Sequence, residues 1–258
     1  MTKLPRFARE SVCTFRFYGP LNDFLPSERR GRRFTHVLRG PASVKDAIEA
    51  LGIPHPEVDV ILVNGAAEDF AYRVRDGDEV SAYPAFRAID IAGLRRAGSD
   101  SPRPVRFAVD AHLGKLASFL RLAGFDSVIV KDDVDLANAA ARDARVALTR
   151  DVGLLKRNVV RHGYWVRHTD PEAQLAEVLE RFDLAGHMEP FSRCGRCNVP
   201  VVPVDVEAVA DRLPPRTKAC IREFHRCPQC ERIYWQGSHY DRLRRLLERA
   251  RGGEPWAL

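Results

Sequence analysis

Residues 105–130 read VRFAVDAHLGKLASFLRLAGFDSVIV, and their pattern decides the class of the fold. VRFAVD is a short apolar run of strand length that ends in a carboxylate, and SVIV at 127–130 is a second such run. Between them Leu113, Leu116, Ala117, Leu120 and Ala123 recur at helical spacing, with Gly124 just past the end as a stop. A strand, a helix and a strand in that order form a crossover unit, which joins parallel neighbours. The alternation continues with an Ala-rich helix over about 134–144, the strand VALT at 146–149, a helix over about 152–161, the strand YWVRH at 164–168, and a helix opened by Asp170-Pro171. Four strands alternating with helices predict an α/β domain on a parallel sheet, over residues 105–190.

Upstream, residues 87–104 (RAIDIAGLRRAGSDSPRP) lose all periodicity and gather Gly, Ser and Pro, as a linker does. The stretch before it, residues 1–86, has a different rhythm. SVCTFRFY at 11–18 and FTHVLRG at 34–40 read as paired strands around a Gly- and Arg-rich turn at 31–33. Ser43 then caps a helix in which Val44, Ala47, Ile48 and Leu51 share a face, with Gly52 just past its end. VDVILVNG and DGDEVSAYP supply two more strands, with turn signals at Asn64-Gly65 and Asp76-Gly77. The order β-β-α-β-β predicts a small α+β domain of β-grasp type.

The chain has 258 residues, 45 % of them hydrophobic and 29 % charged, which suits several folded modules and excludes a disordered chain. No stretch approaches the roughly 18 uninterrupted apolar residues of a membrane helix, and Met1–Glu10 lacks the apolar core of a secretory signal. A cytoplasmic protein with no membrane partner is expected. Residues 191–258 hold 13 Lys and Arg against 8 Asp and Glu, while the preceding 190 residues are nearly balanced. Such a surplus suits a polyanionic partner, whose neutralised phosphates release counterions.

Asp110 and Asp151 each end an apolar strand and precede a helix, and Asp132, Asp133 and Asp135 follow SVIV directly. All lie on the strand edge where ligands of open parallel sheets collect. Taken singly, each reads as a helix cap or first-turn acid. Taken together, carboxylates brought to one place repel unless a cation neutralises them, and hard oxygen donors on an incomplete shell suit Mg²⁺ or Mn²⁺. A site of that kind hydrolyses phosphodiesters. Arg150 and Lys156 flank Asp151, and Lys115 lies one turn into the first helix, so cations are at hand for the scissile phosphate.

Four of the six cysteines form two C-x-x-C pairs, Cys194/Cys197 and Cys227/Cys230, separated by 29 residues. Two such pairs close a tetrahedral Cys₄ zinc site, and a shell of four thiolates leaves no open position, so its expected role is structural. Residues 191–258 are therefore expected to form a zinc ribbon followed by a helix. Cys13 reads as core and Cys220 as a small buried residue or a spare thiol. Arg222, Arg226, Arg232, Tyr234 and Trp235 are candidates for nucleic-acid contact, by phosphate pairing and base stacking.

Two resemblances sharpen this reading. Residues 11 to about 84, with the VNG turn and the DGDEV segment, resemble the ubiquitin-like sulfur-carrier family of β-grasp domains. That family works through a carboxy-terminal Gly-Gly. Here the last strand runs on into PAFRAIDIAG and Gly252-Gly253 is followed by EPWAL, so the expected role is binding or scaffolding, with a protein partner. Residues 105 to about 240 resemble the PIN-like ribonucleases of the Mut-seven carboxy-terminal family in Asp110, Gly114 to Ala117, Leu120 to Gly124, Leu148 to Asp151, and the FSRCGRCN, HRCPQC and YWQGSHY segments. The resemblance implies a metal-dependent ribonuclease whose acidic ligands fall on Asp110 and Asp151, with Asp133 or Asp135 as the intermediate acid. The alternative is a non-catalytic RNA- or protein-binding adaptor on the same fold.

Overall fold

The computed structural model describes residues 10–85, 102–215, 217, 221, 223–237, 240, 244–246, 248 and 249. Most of the linker expected at 87–104, together with Cys220 and Arg222, lies outside the described residues. The chain divides into two compact units, residues 1–100 with 151–165, and residues 101–150 with 166–258. Among the described residues no helix is long and apolar enough to cross a membrane.

The first unit is built on a five-stranded sheet of β1 (Glu10–Phe17), β2 (Phe34–Arg39), β3 (Val60–Val63), β4 (Ala66–Glu68) and β5 (Glu79–Tyr83), in the order β2-β1-β5-β3-β4. β1 and β5 run parallel at its centre and the other pairs are antiparallel. Alternation along β1 buries Cys13, Phe15 and Phe17, which pack with Val44, Ala47 and Ile48 of α1 (Val44–Ala50). Ser43 and Asp46 form a reciprocal capping box at the start of α1, as the sequence predicts for Ser43.

Two details depart from the expected order. Asn64 and Gly65 both take positive φ, 51° and 83°, which makes a two-residue hairpin from Val63 to Ala66 and adds the short strand β4. Its sequence, AAE, has no strand propensity of its own, so the pairing is imposed by the turn. The β1–β2 connection also contains two 3₁₀ turns, Gly19–Phe24 and Ser27–Arg29, which bring Leu21 and Leu25 into the core.

Residues 151–165 supply α4 (Val152–Leu155) and β9 (Gly163–Trp165). The helix expected to reach residue 161 stops after one turn, because Gly153 and the β-branched Val159-Val160 are poor helix formers. This segment is tied to the first unit. Lys156 Nζ donates to the Glu49 carbonyl at 2.8 Å, the Trp165 amide donates to Glu57 Oε1 at 2.7 Å, and the Trp165 and Phe24 rings lie 5.1 Å apart.

In the second unit β6 (Phe107–Asp110) pairs in parallel with β7 (Ser127–Val130) on one side and β8 (Val146–Thr149) on the other. These three strands lie in the order β7-β6-β8, the parallel α/β arrangement expected. α2 (Gly114–Leu122) buries Leu116, Ala117 and Leu120, α3 (Asp133–Arg142) buries Leu136, Ala137 and Ala140, and α5 (Pro171–Arg181) starts at an Asp170 cap followed by proline. Gly124 closes α2 at φ 103°, and a Cβ there would sit 2.7 Å from the Glu189 carbonyl oxygen. A three-stranded antiparallel sheet, β10 (Val202–Val204), β11 (Phe224–Arg226) and β12 (Ile233–Trp235), completes the unit around Val209, Leu213 and Phe224.

Candidate functional site

The chain leaves β6 for β7 on one side and returns to β8 on the other, so the order of strands reverses between β6 and β8. A crevice at the carboxyl ends of two such strands is where open α/β sheets bind ligands. The register Val109↔Leu148 places Asp110 and Thr149 side by side at this position.

Asp110 occupies it with a carboxylate only 13 % exposed. Its Oδ1 accepts from the His112 amide at 3.0 Å and lies 2.9 Å from His112 Nδ1, while Oδ2 accepts from the Thr149 hydroxyl at 2.9 Å. Burial pushes the Asp110 pKa upward, but the hydrogen bonds from His112 and Thr149 outweigh it and hold the carboxyl below its ordinary range. The group is therefore ionised at neutral pH. The His112 imidazole is 89 % exposed, so the pair opens towards solvent. Sequence reasoning missed both partners. A histidine two positions after a strand-end aspartate and a threonine ending the next strand were the available signals.

The other acids stand as follows. Asp132 caps α3 by accepting from the amides of Val134 and Asp135, and Asp133 and Asp135 are exposed in its first turn. Asp151 caps α4 by accepting from the amides of Gly153 at 2.6 Å and Leu154 at 3.3 Å. Capping and ligation are not exclusive, because a cap uses one of two carboxylate oxygens. Lys115 is exposed in the first turn of α2. Arg150 Nη1 donates to the carbonyls of Val166, Arg167 and His168 at 3.1, 2.7 and 2.7 Å. Arg150 and Lys156, both read as phosphate-holding cations, thus have backbone carbonyls as partners.

The cysteines do come together. Sγ atoms of Cys194, Cys197, Cys227 and Cys230 all lie within 4.8 Å of one another, and among the described residues no other group of three or more His, Cys, Asp or Glu does so. All four are free thiols. The Cys194 and Cys230 sulfurs are 3.7 Å apart, close to the ~3.8 Å that a tetrahedron with metal–sulfur bonds of ~2.3 Å requires. Backbone amides of Cys197 and Cys230 donate to Cys194 Sγ and Cys227 Sγ at 3.3 and 3.4 Å, the local geometry of two knuckles. Burial raises the Cys194 thiol, but donation from Tyr234 and from the Cys197 and Arg196 amides brings it down to about 6, whereas its hydrogen bond with Cys230, then burial, push Cys197 up to about 12. Thiols crowded in this way compete for protons, and a soft dication relieves the competition. The donor set fits a metal ion.

Behind the knuckles, Arg121 Nη1 donates to the carbonyls of Gly195 and Arg196 at 3.2 and 2.8 Å and its Nε to the Ser127 carbonyl. Asn198 accepts from the Ser127 amide at 3.0 Å and donates to Asp126 at 2.7 Å, and Asp126 takes both Nη donors of Arg145 at 2.9 and 3.0 Å. The cysteine cluster is thus bonded into the edge of the parallel sheet. Of the residues proposed for RNA, Arg226 lies in β11, Arg232 is exposed, Tyr234 spends its hydroxyl on Cys194 at 3.0 Å, and the Trp235 ring packs 6.4 Å from Phe224.

Comparison with curated proteins found no match. Two family models do match: the Mut7-C RNAse domain over residues 105–247, and the Mut7-C ubiquitin domain over residues 10–90. The first alone spans more than half of the chain, and it covers both Asp110 and all four cysteines. The chain therefore belongs to the Mut7-C RNAse-domain family, with a Mut7-C ubiquitin domain in front.

Proposed function

We propose that the protein is a cytoplasmic, Mg²⁺- or Mn²⁺-dependent ribonuclease that hydrolyses RNA phosphodiesters at the Asp110 crevice, with a zinc-bound ribbon that helps to hold the RNA. The observation that carries this reading is the Asp110 carboxylate, held ionised by two neighbours at the point where the sheet's strand order reverses. Asp110 and Asp151 would hold the cation, with Asp133 or Asp135 as the intermediate acid. These are hard oxygen donors, which fit either ion. Such an ion polarises the phosphoryl oxygen and lowers the pKa of the attacking water.

The chain's own groups do the rest. Thr149 and the His112 amide fix the orientation of the Asp110 carboxylate. Exposed Lys115 offers an ammonium to the substrate phosphate, while Arg150 and Lys156 hold backbone carbonyls. Four reduced thiols suit a reducing compartment. The β-grasp domain serves to bind a protein partner.

The test is cleavage of single-stranded RNA. Asp110→Asn and Asp151→Asn should each abolish it while zinc content and far-ultraviolet circular dichroism stay unchanged. Wild-type protein that shortens RNA in zinc-replete buffer free of Mg²⁺ and Mn²⁺ sinks the proposal. The adaptor reading draws on the capping roles of Asp110, Asp132 and Asp151; it predicts RNA binding that is indifferent to Mg²⁺ and never leads to shortening.

A further inference from the structure

One cavity in the second unit is used by nothing described so far. It has a volume of about 480 Å³ and opens between the ribbon sheet and the segment that carries Phe191 and Val201. That volume falls within the ~300–1,000 Å³ typical of small-ligand sites. Pro203 pairs with His225 and His225 with Tyr234 across β10, β11 and β12, so these three residues form one row on one face of the sheet, and all three line the cavity.

The remaining apolar walls combine Pro190, Pro200 and Val201 with aromatic residues. The rings of Phe191 and Tyr240 stack with centroids 4.2 Å apart at 27°, and Trp235 stands at the same cavity. Phe191 holds this place at φ 64°, a left-handed backbone that a bulky residue rarely adopts, while its amide donates to the Leu122 carbonyl at 2.7 Å. The polar groups at the cavity are Ser192, Glu223, His225 and Gln236. Flat ring faces beside a few polar groups make a receptor for a planar heterocycle with a hydrogen-bonding edge. The module that carries it has 13 Lys and Arg against 8 Asp and Glu, which suits a ligand attached to a phosphate backbone.

We infer that this cavity receives one unpaired nucleobase of single-stranded RNA, stacked on the Phe191–Tyr240 pair. A base inside a duplex cannot enter a cavity without leaving its stack, so the site selects single strands, loops and ends. The inference rests on the RNA-directed reading above and adds to it a place and a chemical class of contact.

The experiment uses the zinc-loaded full chain without Mg²⁺ or Mn²⁺, a fluorescent ten-nucleotide RNA, and the same RNA annealed to its complement. The single strand should bind more tightly than the duplex. Tyr240→Ala should weaken single-strand binding by roughly tenfold or more, Tyr240→Phe should restore it, and ultraviolet crosslinks should map to Phe191, Trp235 or Tyr240. Equal affinity of Tyr240→Ala and wild type, with zinc content intact, overturns the inference. Displacement of RNA by a decaproline peptide that itself docks at these rings does so too, in favour of a proline-rich partner. The two readings fail separately. RNA that binds through Tyr240 but is never shortened refutes the ribonuclease and leaves the pocket standing. Cleavage that proceeds while Tyr240→Ala binds normally refutes the pocket alone.

Discussion

The Thr149 hydroxyl donates to Oδ2 of Asp110 at 2.9 Å, joining residues 39 positions apart at the ends of two adjacent parallel strands. Thr149 is fully buried, and its hydroxyl orients a carboxylate whose second oxygen is occupied by His112. A bond made by a buried side chain at a strand end holds the acid still, which is what a ligand or an orienting group requires.

Thr149→Val keeps the shape of the side chain but removes this donor. It should lower stability by about 1 kcal/mol in urea unfolding and raise the Asp110 pKa measured by carboxyl NMR titration. Thr149→Ser, which keeps the hydroxyl, should largely restore both. An unmoved Asp110 titration in Thr149→Val contradicts this role for the hydroxyl.

Acid stability should depend on Asp126. Burial pushes its carboxyl up, but hydrogen bonds from Arg145 and Asn198 and the charges of Arg145 and Arg193 more than offset this, so its folded-state pKa is depressed. The ionised form is favoured by the native state, and the resulting stability is complete above the unfolded pKa of about 3.9 and lost as pH falls through the folded value. Asp126→Asn should flatten the thermal-midpoint curve below about pH 4. At pH 7 it should cost about 1.5–3 kcal/mol, because buried Arg145 loses its two-bond partner and keeps only Asp143 at 3.8 Å. A mutant curve parallel to wild type throughout the acid range argues against it.

Gly124→Ala should destabilise the second unit by about 2–4 kcal/mol, since the left-handed backbone is strained for alanine and the new methyl meets the Glu189 carbonyl at 2.7 Å. Chemical denaturation measures this directly. A loss under about 0.5 kcal/mol would show that the Glu189 segment moves aside easily.

Zinc removal by a chelator, or Cys227→Ser, should lower the thermal midpoint of the second unit by several degrees and release about one equivalent of metal per chain. Retention of a full equivalent in Cys227→Ser, with an unchanged midpoint, would mean that the thiols are not the ligands.

Much of the fold is legible in the sequence because its signals are local. Ser43 with Asp46, Asp170 with Pro171, and Asn64 with Gly65 each encode a cap or turn within four residues, and the two C-x-x-C knuckles carry their own spacing. What escapes is what depends on partners far along the chain. β4 exists because a hairpin offers it a neighbour, and α4 ends early where residues 156–165 find Glu49, Glu57 and Phe24 as partners. The same holds at the site. Asp110 is visible as a strand-end acid, but Thr149 becomes its partner only through the register of β6 and β8. Arg150 and Lys156 look like free cations in the sequence, because nothing local shows which carbonyls they meet.

The hydrogen bonds from Arg121 to the Gly195 and Arg196 carbonyls, and from Asn198 to Asp126, mean that the module of the four cysteines is not an appendage. Cutting the polypeptide before Phe191 would strip Arg121 Nη1 of both its acceptors, leave the Ser127 amide without its own, and remove the Phe191 amide from the Leu122 carbonyl. The smallest excisable fragment that keeps the edge of the parallel sheet bonded therefore extends at least through Asn198.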